Sequence, residues 1–286
     1  MATVDAEKKL QKRVLHWLVN DLGYTYLGNL EDIDNTPVKE DLLKANLKKR
    51  GYSDDQIKTA ISELLSKVNN QVDTLYQINR SVYSLLRYGR QGVKDEHGQR
   101  ETVHYIEWDT DKIDENDFYV AEEVSVLRYD RVTRKRPDVV LYVNGIALGV
   151  FELKSSYVSA GKGIRQMLQN QKRENILNFF GTAQFLFAGN EAEGLFYGTN
   201  RYSLRKYYLK WKEDKKATDK LSADVKNVCR SKEVDRLRDG IISLCNKERF
   251  LSLIHDFVIY DAGIKKVTRH NQYFANIAAR KRILGK

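Results

Sequence analysis

Apolar residues recur at helical spacing near the start of the chain. Leu10, Val14, Leu15, Leu18 and Leu22 make one stripe, and Gly23 closes it. The same period continues between residues 38 and 89, through Leu42, Leu43 and Leu47, then Ile57, Ile61, Leu64 and Leu65, then Val72, Leu75, Ile78, Val82 and Leu85. This predicts three helices inserted after the first one, with stripes that serve packing. The pattern then changes. Residues 102–108 and 119–128 read as extended, the second alternating through Val124 and Val126. Two apolar, β-branched runs at 139–143 and 146–153 flank Asn144-Gly145, the strongest short-range hairpin signal. A helix over 161–171, running on to Phe180, precedes strands at 183–188 and 195–199 that are joined by a polar turn. Helical stripes return at Leu237, Ile241, Ile242 and Leu244 and at 250–254, before a short strand at 257–260. The order of elements predicts an α/β layer in which helices cover a mixed central β-sheet.

The central hairpin carries charge where its neighbours are apolar. Asp138 precedes the first run, and Glu152 and Lys154 end the second. Buried charges are costly unless paired or bound to metal, so this placement points to chemistry. Glu152 and Lys154 are two apart and leave a strand on one face. The direction of Asp138 depends on the turn. A two-residue loop at Asn144-Gly145 pairs Val143 with Ile146 and turns Asp138 to the face opposite Glu152. A three-residue loop over 143–145, with Gly145 left-handed as a bulge, pairs Tyr142 with Ile146 and Asp138 with Val150, and the three charges then converge. The three-residue register is the expected one. Two convergent carboxylates with a lysine suit a Mg²⁺-dependent phosphodiesterase, since Mg²⁺ takes hard oxygen ligands and a lysine can hold the attacking water or the scissile phosphate. The plainer alternative is an edge hairpin whose Glu and Lys pair with each other or with solvent.

Pro137-Asp138 followed by Glu152-Leu153-Lys154 resembles the PD-(D/E)xK nuclease motif. From about Glu7 onward the chain is similar to the N-terminal part of the restriction subunit, which joins nuclease and motor, of type I restriction–modification enzymes. The likeness is carried by the segment from Asn79 to Gly89, by residues 106–108 and 116–120, by the hairpin with its following helix, and by Arg269-His270-Asn271-Gln272-Tyr273-Phe274-Ala275. The resemblance implies a PD-(D/E)xK nuclease-like core. It divides the chain into an endonuclease domain over 1–260, with the helical insertion at about 38–89, and the start of a helicase-like ATPase motor over 261–286. Asp138 and Glu152 match the family's metal-binding acids and Lys154 its catalytic lysine. Gln166 falls on the glutamine of a QxxxY motif, but Asn170 stands where the tyrosine belongs, so the helical pair expected to face DNA is Gln166 and Asn170. Gln169 or Gln171 is the alternative working amide. Glu7, on the first helix, is placed to complete the acidic site, although an acid in a first turn also serves the helix dipole. Gln272 matches the motor's adenine-reading glutamine. No Gly-x-x-x-x-Gly-Lys-Ser/Thr loop occurs in the sequence, so ATP would be bound only in a full-length subunit. The implied activity is cleavage of duplex DNA coupled to ATP-driven translocation, with methyltransferase and specificity subunits as partners. The rivals are a non-catalytic DNA-holding module with a decayed nuclease core and a free-standing nuclease.

Charge is distributed unevenly along the chain. The net charge is +10, yet residues 1–200 hold 27 Lys and Arg against 29 Asp and Glu, whereas residues 201–286 hold 22 against 10. In that basic part Tyr202, Arg205, Lys206, Tyr207, Tyr208, Lys210, Trp211 and Lys212 interleave aromatics with cations, a pattern that could follow a phosphate backbone. A solvated surface is the plainer reading. The cluster Arg131, Arg134, Lys135 and Arg136 directly precedes Asp138, which makes it the stronger expected DNA contact. Cys229 and Cys245 lack metal-ligand neighbours, so neither a disulfide framework nor a zinc site is expected. The N-terminus leads straight into an amphipathic helix and no apolar run spans a bilayer, so the expected compartment is the cytoplasm, with no membrane contact.

Overall fold

A computed structural model describes residues 2–94, 98–200, 205–214, 216, 217, 219–229 and 235–284. The first helix, α1 (Ala2–His16), ends in a π-turn at Trp17–Asp21, and Gly23 follows with φ of +69°. The inserted helices form as their stripes require: α2 (Glu40–Lys49), α3 (Asp54–Val68) and α4 (Leu75–Tyr88). Reciprocal capping boxes start two of them, Ser53 with Gln56 on α3 and Thr74 with Gln77 on α4.

The main sheet contains β1 (Thr25–Asn29), β4 (Phe118–Glu122), β7 (Val139–Val143), β8 (Ile146–Leu153), β9 (Phe185–Asn190) and β10 (Gly194–Gly198), in that spatial order. It is mixed: β1 runs parallel to β4 and β8 parallel to β9, and the remaining pairs are antiparallel. Helix α5 (Ala160–Asn170) packs on β8 and β9, α1 on β8, and α7 (Arg236–Cys245) on β10. The expected mixed α/β layer, with helices flanking a central sheet, is the observed architecture. Every residue of β7 and β8 is buried, which explains their unbroken apolar sequence.

Several elements depart from the sequence pattern. β1 is a half-exposed edge strand with Gly28 inside it and carries no alternation to read. The stretch expected at 102–108 reduces to β3 (Arg100–Val103), paired with β2 (Arg90–Lys94) in a separate ribbon. The strand expected over 119–128 breaks at Glu123, whose φ is +51°, and resumes as β5 (Val126–Leu127) against β6 (Arg134–Lys135). After α5 the chain loses its α-helix and passes through a short 3-10 turn at Leu177–Gly181. Helix α6 (Lys220–Cys229) was not foreseen, whereas α8 (Lys247–Phe257) follows its stripe. β11 (Val258–Asp261) pairs with β12 (Ile264–Val267), so the expected division between 260 and 261 falls inside a hairpin. Beyond it, α9 (His270–Leu284) buries Tyr273 and Phe274 against Trp211.

Candidate active site

The β7–β8 hairpin converges its charges by a different device from the expected one. Asn144 and Gly145 both have positive φ, +52° and +83°, and make a two-residue turn with Val143 opposite Ile146. The Asn144 side chain is buried and fixes that turn, donating to Tyr105 O and Asn116 Oδ1 (both 2.9 Å) and accepting from Asp117 N (2.7 Å). Taken alone, this register would turn Asp138 away from Glu152. Between the next pairs, however, Tyr142 faces Ala147 and Leu141 faces Gly149, which leaves Leu148 as an extra residue. That bulge shifts the remaining pairs by one, so Val139 faces Phe151 and the next position outward sets Asp138 opposite Glu152. The expected Tyr142–Ile146 register is therefore incorrect, while the convergence it was meant to produce is present.

At the open end of the hairpin, Asp138 Oδ2 accepts from Leu153 N (2.5 Å), and Lys154 Nζ donates to Glu152 Oε1 (2.6 Å). Glu152 is only 1% exposed, and its second oxygen, Oε2, is buried without a hydrogen-bond partner. Burial pushes the Asp138 carboxyl up to about 7, against the pull of Lys154 and the Leu153 amide. Glu152 is raised well above the usual carboxylate range by burial and then by the charge of Asp138. Burial works to lower Lys154, but the two acids prevail and hold it above its ordinary value. Two acids sharing one lysine in a dry setting retain a proton or take a cation.

Other elements pin this end. Glu7 Oε1 accepts from Ser155 N (3.3 Å), so the acid on α1 does reach the site. Gln11, one turn further along α1 and buried, donates from Nε2 to Asp138 O (2.7 Å), and Glu123 N donates to the same carbonyl (2.9 Å). Sequence reasoning missed both. A glutamine beside the apolar stripe of α1 was the available signal for Gln11; nothing in the sequence marks the left-handed turn at Glu123. Gly163 on α5 lies where a Cβ would come within 3.1 Å of Glu152 O, so glycine lets that helix approach the acid closely.

The remaining expected residues separate. Gln166 lies on the exposed face of α5, but Asn170 is buried at 1% exposure with Oδ1 unpartnered. The expected pair does not share a DNA-facing surface, because Asn170 falls on the side of α5 that packs inward with Met167 and Ile164. In the basic cluster Arg136 is tied to Glu31 and Glu123, and Arg134 donates to Asp34 Oδ1 (3.3 Å). Arg131 and Lys135 have no ion-pair partner among the described residues. The basic run near 201–212 is not an aromatic ladder: Tyr208 and Trp211 are core residues, Lys210 donates to Glu193 O (2.8 Å), and Tyr202 lies outside the described residues. Gln272 is exposed at the start of α9, where its Oε1 accepts from Arg269 N (3.0 Å).

Among the described residues no cluster of three or more His, Cys, Asp or Glu side chains is close enough to hold a metal ion, and no helix is long and apolar enough to cross a membrane. The donor set nonetheless fits Mg²⁺, which typically uses one or two carboxylates and fills its other positions with water and phosphate. The buried, unpartnered Glu152 Oε2 beside Asp138 is such an oxygen.

A mixed sheet flanked by helices, with two acids and a lysine gathered at the open end of its central hairpin, defines a nuclease-like α/β core. Comparison of the sequence with known families is more specific. Residues 6–205 match the family described as type I restriction enzyme R protein N terminus, and the chain belongs to that family. It is also similar, at 22% identity over 272 residues, to a protein of Methanocaldococcus jannaschii named "Putative type I restriction enzyme MjaIXP endonuclease subunit". That match covers 90% of this chain and 26% of the relative, so the chain spans about a quarter of the relative's length.

Proposed function

We propose that this chain is the DNA-cleaving part of a type I restriction enzyme R subunit and hydrolyses phosphodiester bonds of duplex DNA with Mg²⁺. The observation that carries the reading is the Leu148 bulge, which sets Asp138 opposite Glu152, whose buried Oε2 has no hydrogen-bond partner. Asp138 and Glu152 would hold the ion, and Mg²⁺ when bound supplies a Lewis acid and a more acidic water. Lys154, kept protonated by the two acids, holds the scissile phosphate or the attacking water. Leu153 N orients the Asp138 carboxylate, Gln11 and Glu123 fix its backbone, and Glu7 anchors the turn after Lys154.

Gln166, exposed on α5, is assigned to the substrate side of the site, and Arg131, Arg134, Lys135 and Arg136 to phosphates next to it. In a full-length subunit, Gln272 would read the adenine of ATP, translocation would be driven by that ATP, and methyltransferase and specificity subunits would choose the DNA.

The test is cleavage by the complete subunit with its partners, carrying Asp138→Ala, Glu152→Ala or Lys154→Ala. Loss of DNA cutting with ATP hydrolysis retained is the expected result. Full cutting by all three variants would refute the assignment.

A further inference from the structure

We propose that Tyr157 stacks on an unstacked nucleobase of the DNA at the mouth of the site. The proposal rests on the nuclease reading above. Tyr157 occupies the turn between β8 and α5, three residues after Lys154, and is 87% exposed. The turn that carries it is pinned on both sides. Lys154 N donates to Gly189 O (3.0 Å), Ser155 N to Glu7, Val158 N to Ser155 O (2.9 Å), and Asn190 Nδ2 to Val158 O (2.7 Å). Ser155 itself is buried. The backbone therefore holds the ring out in water, an arrangement that forgoes burial of a large apolar surface and pre-organises it for contact.

The adjoining exposed face of α5 carries Lys162 and Arg165, and neither has an ion-pair partner among the described residues. Both cations sit in the first half of the helix, where the helix dipole opposes them. Amides at the start of α5 are already engaged, Gly161 N by Ser159 Oγ and Ala160 N by Glu193 Oε1, so contact with an anion falls to these two side chains. An exposed aromatic ring on a pinned turn, followed on the next helix by two cations without ion-pair partners among the described residues, fits a nucleobase with its flanking phosphates.

The intact protein, without divalent metal, is photocross-linked to a duplex that carries 5-iodouracil through a short unpaired stretch, and the linked peptides are mapped. The expected cross-link is at Tyr157, retained by Tyr157→Phe and lost in Tyr157→Ala, which also binds this DNA about tenfold more weakly. Cross-links that map only elsewhere, unchanged affinity of Tyr157→Ala, or no binding by the unaltered protein would each overturn the proposal. A protein that gives the Tyr157 cross-link, while the complete subunit with its partners, ATP and Mg²⁺ does not cut DNA, upholds stacking and removes the nuclease reading. Cutting that Tyr157→Ala leaves intact, with unchanged binding, does the reverse.

Discussion

Two buried charge clusters in this chain differ in their balance. Arg249, fully buried on α8, meets the single carboxylate of Glu213, donates to Ser243 O and Ser222 Oγ (3.4 Å each), and lies 5.4–5.7 Å from the rings of Trp211, Tyr273 and Phe274. Its ion pair is one to one, Arg249 with Glu213, beside three aromatic rings. At the hairpin end, Asp138 and Glu152 outnumber Lys154, and the cluster opens to the surface through Asp138 and Lys154. Burial of charge therefore does not separate a structural site from a functional one. Unbalanced charge at an open sheet end is what the proposed catalytic site has and the Arg249 cluster lacks.

The largest expected effect breaks the balanced cluster. Arg249→Ala strands Glu213 and unclasps Trp211, Tyr273 and Phe274, and should lower unfolding free energy in urea by about 3–5 kcal/mol. A smaller loss, near that of an exposed ion pair, would mean that the aromatic packing alone holds α9. Next in size, Glu152→Gln should reduce Mg²⁺-dependent cleavage by about 10²–10³-fold while leaving the melting temperature unchanged or raised, since it removes a buried like charge. A melting temperature that falls as far as that of Arg249→Ala would make both clusters structural.

A third expectation concerns pH. With chelator present, the folded state holds the Asp138 proton up to about 7, whereas the unfolded chain releases it near 4. The folded state binds more protons between these values, so this contribution to stability is complete below pH 4 and is lost as pH rises through 7. Melting temperatures across pH 4–8 should decline on that account, and Asp138→Asn should flatten the decline. An equal decline in Asp138→Asn would assign it to another group. The smallest effect is at the basic cluster. Arg131→Ala should weaken DNA binding at all sequences alike and reduce the slope of log affinity against log salt by about 1. Arg136→Ala should change that slope less, because Arg136 already serves Glu31 and Glu123.

The fold was legible where amphipathic periods are long: α1 to α4, α7, α8 and the β7–β8 hairpin all follow apolar stripes or the Asn-Gly turn. β1, β2 and β12 were not. They are short and largely or partly exposed, so no inward-facing alternation marks them. The candidate site was legible as residue types and as a gathering of charges, but not as a mechanism of gathering. All eight residues of β8 are buried, so an extra Leu148 leaves no mark in the hydrophobic pattern, and the expected remedy was placed at Gly145 instead. Asn170 shows the same limit from the helical side. The four-residue spacing of the QxxxY motif put it with Gln166, whereas the inward face of α5 runs through Gly163, Ile164, Met167 and Asn170.

The Leu148 bulge makes the site a question of odd and even. Two-residue turn and one extra residue together give the count that brings Asp138 and Glu152 to one face. A single insertion or deletion within either strand between them reverses the parity and sends one carboxylate through to the other side of the sheet, whereas one taken up by the turn does not. Paired changes restore it. Among relatives, an odd change in the spacing between the two acids should therefore fall in the turn or go with a bulge gained or lost.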